Sequence, residues 1–510
     1  MTAAATTADH APAHQRWLLL GAIVAMATLY SMTILVVSVI LPQMQGALSA
    51  TPDQISWTVT FNILATAVVT PLTGWLTARW GWRGVTLFCL GGFTVSTLFC
   101  GLAQNLEQLI LFRFLQGGLG APLIPMAQAV VLSTFPKHQH GMATSLFGMG
   151  VVIGPIFGPI FGGFVAELYD WRWVFFMIVP MAAVAYAMLW ALLPDRGRKG
   201  PVDFAWTGFL ALAVAITCLQ LALDRGQRND WFDSLEIMAE AAIGVAAFAV
   251  YLLHSLMARS PLLDLRLLVN RNYALGLVIV LVYGMLNFTP MVIMPTMLKD
   301  LGGYPESIIG ILIAGRGMGA VVGFFSANWV ARADPRFGIT TGFLLQAWSG
   351  WQMMHFNMDV SMFDVMSASL AQGLAVGLIW VPLTVSTFAR IDTAHMAETS
   401  AVFHLLRNIG SSIFISLSVT TIIRESAKKH AHLSEFITPY NEVLRNFDFG
   451  RLYDLGNVTD LARLNAQLID QAQMVGFLNA FGLYTLACVA VLPLVFMIKP
   501  PARRAAADGA

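Results

Sequence analysis

Long apolar runs follow one another along the chain, separated by short stretches in which charges, amides or clusters of Pro and Gly gather. A hydrocarbon core about 30 Å thick is crossed by about 20 helical residues, so each sufficiently long run predicts one membrane helix. Fourteen runs qualify, at 17–41, 55–76, 85–103, 107–132, 141–165, 172–193, 203–223, 236–258, 273–297, 304–329, 338–356, 361–387, 398–423 and 475–498. The fold class this predicts is an all-α integral membrane protein. The first run is too long for a signal-peptide core and no small-residue cleavage pattern follows it, so it is expected to remain as an anchor.

Orientation comes from the loops. With the N-terminus in the cytoplasm, that side receives sixteen basic residues, from Arg16, Arg79 and Arg83 through Arg503 and Arg504, whereas the short loops opposite receive only Arg172, Arg225, Arg228 and Lys299. Basic residues concentrate on the cytoplasmic side of membrane proteins, so both termini are expected there. The long extramembrane stretch 424–472 mixes charges with Leu433, Phe436, Leu444, Phe447, Leu452, Leu461 and Leu464, a composition that suits short amphipathic helices capping the bundle or receiving a partner.

The pattern also repeats. Arg79 and Arg83, four residues apart between the second and third runs, recur as Arg332 and Arg336 between the tenth and eleventh, an offset of 253 residues. Gln116-Gly117, followed by Gly120 and Pro122, recurs as Gln372-Gly373, followed by Gly377 and Pro382, at an offset of 256. Two halves of six helices with an extra pair between them account for both offsets. Repeat-built bundles of this kind place a substrate pathway where the halves meet. The expected units are a cytoplasmic tail at 1–16, an N-terminal half at 17–193, two additional helices at 194–258, a C-terminal half at 259–498 that includes a periplasmic loop at 424–472, and a cytoplasmic tail at 499–510.

Composition removes other function classes. The chain is 57% hydrophobic and 11% charged, against about 25% charged in soluble proteins. Its 29 Lys and Arg balance 28 Asp and Glu, so no global basic surface recommends nucleic acid as a partner. Cys89, Cys100, Cys218 and Cys488 lie in apolar runs without the spacing of a metal site or a disulfide framework. No metalloprotease, nucleophile-elbow or phosphate-loop motif is present, so neither an enzyme nor a metal or cofactor site is expected.

What remains is charge inside the spans. Arg113, Arg316 and Arg407 each cost about 2.5 to 3.5 kcal/mol at a helix centre on insertion scales, so each is expected to face protein or water. Arg113 precedes Gln116 by about one turn and the small residues Gly117, Gly118 and Gly120, which permit close backbone approach. Arg316 sits among Gly315, Gly317 and Gly319, where helix packing is the expected use of the glycines. His404 lies about one turn before Arg407, and imidazole changes charge near neutral pH, which makes it a candidate proton carrier. The fifth run holds Gly150, Gly154, Gly158 and Gly162 at intervals of four, with Pro155 and Pro159, a smooth face for a neighbouring helix combined with prolines that permit bending.

These residues together resemble the major facilitator superfamily, and within it the fourteen-helix drug:proton antiporters of the EmrB and QacA type. Gly74, Arg79, Gly81 and Arg83 match the loop motif between helices two and three, with Ala78 where the general motif has Asp. Arg113, Gln116, Gly117 and Gly120 match the fourth-helix motif, and Gly154, Gly158, Pro159, Gly162 and Gly163 match the antiporter motif of the fifth. Trp171-Arg172-Trp173 and the stretch from Leu223 to Gln227 look like flanking signatures of the subfamily. The resemblance implies two six-helix halves plus two additional helices, and proton-driven efflux of amphipathic or aromatic small molecules across the inner membrane by alternating access. It also implies an assembly with a periplasmic membrane-fusion adaptor and an outer-membrane channel.

One departure changes the picture. The family's first-helix signature carries an Asp, and aligning on Leu41-Pro42 puts Thr33 at that position, with Ser38 replacing an Asn. The remaining acids near spans, Glu306, Asp364 and Glu398, sit at boundaries. Thr33 is therefore expected to line the substrate cavity without carrying a proton, and His404 or a boundary carboxylate to replace the Asp. With no intramembrane counter-ion for a cation, Arg113 and Arg407 suit anionic or neutral aromatic compounds. A narrow-substrate exporter of an anionic metabolite and a non-transporting membrane receptor are the alternative readings.

Overall fold

The computed structural model describes residues 12–195, 203–258, 262–438, 440–441 and 457–498. Outside the described residues lie most of the N-terminal tail, Arg196, Arg198, Lys199, Arg259, Leu444, Phe447, Leu452 and the tail 499–510, and the same holds for the side chains of Ser38, Lys137, Pro159, Glu306 and Arg332. Among the described residues the chain is helical throughout, with no strand.

The expected helices form in order. The first is Ala13–Ala47; the second begins at Pro52–Val69 and continues through a tight turn at Thr70–Leu72. Thr73–Leu102 completes the second helix and forms the third, the two meeting at Gly81, whose φ of 74° and ψ of 166° lie outside the helical region and in territory that favours glycine. Leu106–Gly120 and Leu123–Thr134 make the fourth, His140–Leu168 the fifth, and Trp171–Phe176 with Ile178–Leu192 the sixth. The additional pair is Trp206–Arg225 and Leu235–Met257. Arg271–Asp300, Glu306–Ala333, Pro335–Met353, Met362–Phe388, Met396–Ser434 and Val458–Ala490, the last extended by Leu492–Phe496, are the ninth to fourteenth. Among the described residues twelve stretches are long and apolar enough to cross a membrane. One of them, Gln54–Leu102, holds two of the helices, and the more polar Pro335–Met353 completes the set by packing between the twelfth and fourteenth.

Local chemistry sets the helix starts. The first amides of a helix have no intrahelical acceptor, so side-chain caps gather there. Thr51 and Gln54 form a reciprocal capping box, Asn105 accepts from Gln108 N–H at 2.9 Å, and Asp334 accepts from Arg336 N–H at 2.9 Å ahead of Pro335. Asp364, one of the boundary acids, accepts from the Ser361 hydroxyl at 2.6 Å in the first turn of the twelfth helix.

The repeat read from the sequence has a structural counterpart. Arg83 donates to the carbonyl of Trp190 at 2.5 Å, and Arg336 donates to the carbonyl of Ile498 at 2.6 Å. Each arginine thereby caps the end of the last helix of its own half. In the described parts of the stretch 424–472 the thirteenth helix runs on to Ser434 and the fourteenth starts at Val458, long continuations of the spans in place of separate short helices, and His430 bonds Asn465 at 2.9 Å between them; the remainder of the expected segment, 439 and 442–456, lies outside the described residues. Helix formers at Arg424, Glu425, Lys428 and Lys429 carry the helical ladder past the apolar run.

Candidate functional site

The two halves meet around a narrow cleft with about 20 Å³ of free volume. The N-terminal half contributes Gly148, Val152 and Pro155 from the fifth helix. The C-terminal half contributes Tyr283, Asn287, Phe288 and Met291 from the ninth helix, Arg316 from the tenth, Trp380 from the twelfth and Arg407 from the thirteenth. The lining is thus aromatic and aliphatic with two cations, the composition of a small-molecule site.

Arg316 is 2% exposed. Its Nη1 donates to Gln372 Oε1 at 2.8 Å and its Nη2 to Asn287 Oδ1 at 2.6 Å and to the Asn287 carbonyl at 2.5 Å. Gln372 in turn donates to Ser349 at 3.1 Å. Gly319 lies against the backbone of Leu370, so close packing does account for this glycine, while the arginine beside it reaches the cavity. Arg407 donates from Nε and Nη2 to Asn408 Oδ1 at 3.3 and 3.1 Å, and its guanidinium carbon stands 5.8 Å from the Phe288 ring centre and 5.7 Å from that of Trp380. Both rings offer the cation a π face.

Arg113 occupies a different environment. It is fully buried inside the N-terminal half, donating from Nε to the Thr58 carbonyl at 3.2 Å and from Nη1 to Gln116 Oε1 at 2.5 Å. Gln116 passes the chain on to Thr97 at 2.7 Å, and Asn62 donates to the Arg113 carbonyl at 2.8 Å. The second, third and fourth helices are tied together by this network, and neither Arg113 nor Gln116 is among the cavity-lining residues. Each half therefore holds an arginine, a glutamine and a hydroxyl in series. The fourth helix supplies the arginine in the first half and the tenth in the second. Its exposure of 0% also excludes a guanidinium snorkelling to the interface.

Thr33 is buried, its hydroxyl donates to the Tyr30 carbonyl at 2.7 Å, and it is not among the residues lining the cavity. A threonine in a helix satisfies its hydroxyl on its own preceding turn, and this one does. His404 lies where the halves close on the side of the N-terminus: its Nε2 is hydrogen-bonded to Gln128 Oε1 of the fourth helix, and its ring packs against Trp380 and Phe403. On the same side Gly74 of the second helix abuts the thirteenth, where an added Cβ would come within 2.8 Å of Glu398 Cβ and 3.1 Å of Glu398 Cα. Glu398 is held there by the backbone N–H of Asp264 at 2.6 Å. Arg79 is exposed near the Gly81 turn, while Arg83 caps the sixth helix.

The glycines of the fifth helix pack along the first helix within one half. Cβ atoms at Gly150, Gly154 and Gly158 would come within 2.6 Å of Val24, 2.5 Å of the Thr28 carbonyl and 2.9 Å of the Met32 carbonyl, and Gly162 lies against Val36. Gly163 has only an ordinary contact, 3.5 Å from Val39. Sequence reasoning therefore found one cavity residue, Arg407, as a site residue and read Arg316 as an interior cation; it missed Tyr283, Asn287, Phe288 and Trp380, and Gln128 as the partner of His404. A signal existed for Tyr283, which follows Tyr30 at the same 253-residue offset as the arginine pair.

Comparison with known proteins agrees with this geometry. The profile of the Major Facilitator Superfamily matches residues 18–415. The chain is 30% identical to the multidrug export protein EmrB of Haemophilus influenzae, covering 91% of this chain and 92% of the relative. It is 28% identical to the fatty acid resistance protein FarB of Neisseria gonorrhoeae, again over 91% and 92%. Among solved structures, the proton:xylose symporter XylE is similar at a TM-score of 0.61 and 13% identity, covering 96% of this chain and 97% of the other. The human organic anion transporter MFSD10 is similar at 0.59 and 10%, covering 94% and 100%. With two six-helix halves closing on a central cavity and a profile match across most of its length, this multi-pass membrane protein belongs to the Major Facilitator Superfamily.

Proposed function

We propose that the protein exports amphipathic or aromatic small molecules across the inner membrane by alternating access, in exchange for protons. The observation that carries this reading is the aromatic, arginine-bearing cavity between the halves, with the Gly74–Glu398 and Gln128–His404 contacts sealing the side of the N-terminus. The basic residues on that side support its being cytoplasmic. Export also fits the names of the relatives, one a multidrug export protein and one a fatty acid resistance protein. Opening the cytoplasmic side requires the Gln128–His404 bond to break, which hands the imidazole to water. His404 is thus placed to exchange a proton in step with the gate. The substrate contacts are assigned to Arg407, Arg316 and the rings around them, with Arg113 and Gln116 holding the first half rigid. The long paired helices beyond the thirteenth and fourteenth spans suit a periplasmic adaptor, which would continue the route to an outer-membrane channel.

The test is transport of a panel of aromatic dyes into inverted vesicles, with and without an imposed proton gradient. Accumulation that needs both the protein and the gradient is expected, with weakened gradient dependence in His404→Gln. Accumulation indifferent to the gradient would remove the proton from the mechanism, and no accumulation of any dye would remove export.

A further inference from the structure

The connection between the seventh and eighth helices, from Leu223 to Ser234, is bonded to both halves of the molecule. Thr60 of the second helix donates to Asp224 Oδ2 at 2.8 Å, and the Arg225 guanidinium carbon stands 5.7 Å from the Trp57 ring centre. Ser416 of the thirteenth helix donates to the Leu223 carbonyl at 2.7 Å, and the Trp231 Nε1–H is shared between Gln227 Oε1 and Thr420 Oγ1 at 3.2 Å each. These contacts lie on the side away from the N-terminus, where the second helix begins and towards which the thirteenth runs. On the side of the N-terminus the same two helices meet directly, through Gly74 and Glu398.

The connection is also stiff. Arg225 pairs with Glu236, and Asn229 donates to the other oxygen of that carboxylate at 3.2 Å, which ties the two helix ends together. The Trp231 ring lies on Gly226, where an added Cβ would come within 2.9 Å of it, and the Trp231 N–H donates to the Gly226 carbonyl at 2.7 Å. Asp230 and Trp231 hold positive φ in succession, 54° and 53°. That region is costly for residues with a Cβ, and such strain persists only where the surroundings fix it. The two attachments differ in strength: water competes for the exposed Thr60–Asp224 bond, whereas the bonds to Ser416 and Thr420 are half-buried. The chain beyond the eighth helix is bonded to the thirteenth as well, through Asp264 and Glu398.

We propose that this connection is a strut between the halves, which sets the spacing of the second and thirteenth helices on the side away from the N-terminus and holds that side open. Closing it releases Thr60 and Trp57, while the strut stays with the thirteenth helix. This rests on the proposed alternating access and on nothing about the substrate or the proton.

The experiment places spin labels at Gln104→Cys and Asp359→Cys, in exposed loops of the two halves on that side, in a background lacking the four native cysteines. Pulsed electron resonance on the full-length protein in lipid nanodiscs is expected to show a long and a short separation. Asp224→Ala and Thr60→Val each remove the exposed bond, from opposite ends, and each is expected to raise the ratio of short to long at least about threefold. Ser416→Ala removes a bond made in both states and is expected to leave the ratio unchanged, since an interaction equal in two states shifts neither. An unchanged ratio in either folded variant of the Thr60–Asp224 pair, or an equal shift in Ser416→Ala, overturns the strut. One separation in the native protein and in every variant removes the alternating access on which it rests. Shifted ratios without dye accumulation in vesicles would instead sink the export reading and leave the strut standing.

Discussion

Three arginines buried in the bundle solve the same problem in different ways, and the difference decides what each can do. Arg113 is bonded to the Thr58 carbonyl and to Gln116 inside its own half, with its Nη2 left without a partner. Removing it leaves the buried Gln116 Oε1 without its donor, at about 1–3 kcal/mol for an unsatisfied group. Arg113→Met is therefore expected to lower the melting temperature of the purified protein by several degrees, followed by tryptophan fluorescence in detergent, whereas an unchanged melting curve would show that the network carries no stability. Arg407 has a single amide partner and two ring faces, so Arg407→Met is expected to spare the melting temperature and abolish dye accumulation in vesicles. In the sequence these two residues read alike, because an apolar run reveals that an arginine is interior but not which side of its helix it occupies. Arg407 lines the cavity, while Arg113 is turned inward by the Thr58 carbonyl of the second helix, a partner that no spacing within one helix reveals.

At the scale of elements, the interval of four glycines was sufficient to predict a tight helix contact, and the partner proves to be the first helix. The contact runs in register: Val24, Thr28, Met32 and Val36 advance by four as the glycines do. Parallel advance of this kind keeps the two axes close over four turns, where dispersion rather than hydrophobicity holds membrane helices together. The positions are not equivalent, and the difference is measurable. Gly154→Ala puts a methyl 2.5 Å from a backbone oxygen that cannot move aside, so lower expression and a lower melting temperature are expected; Gly163→Ala meets Val39 at an ordinary 3.5 Å and is expected to behave as the native protein. Matching behaviour of the two variants would mean that the seam relaxes freely. Helix positions, the repeat and this seam were legible because apolar length and small-residue period are one-dimensional signals. The continuation of the thirteenth helix to Ser434 was not, since charged helix formers outside a membrane look the same as a polar loop.

At the scale of the whole molecule, closure on the side of the N-terminus depends on Gly74 lying against Glu398 and on Gln128 meeting His404. The first contact joins the loop motif of one half to the opening turn of the thirteenth helix in the other, so its geometry reports the angle between the halves. A side chain at Gly74 would crowd the Cα of Glu398 as well as its Cβ, and the Glu398 carboxylate is itself tied to the Asp264 N–H. Gly74→Val is therefore expected to hold that side apart and to trap the protein open on the side of the N-terminus. Ser400, fully buried two residues beyond Glu398, supplies the reporter: in a background lacking the four native cysteines, Ser400→Cys should resist a membrane-impermeant maleimide added to inverted vesicles, and should be labelled rapidly once Gly74→Val is introduced. Dye accumulation should fall in the same vesicles. Equal labelling with and without Gly74→Val would show that the two halves close without this contact, and would shift the gate to the Gln128–His404 pair alone, which a cross-link between Gln128→Cys and His404→Cys would then be expected to lock shut.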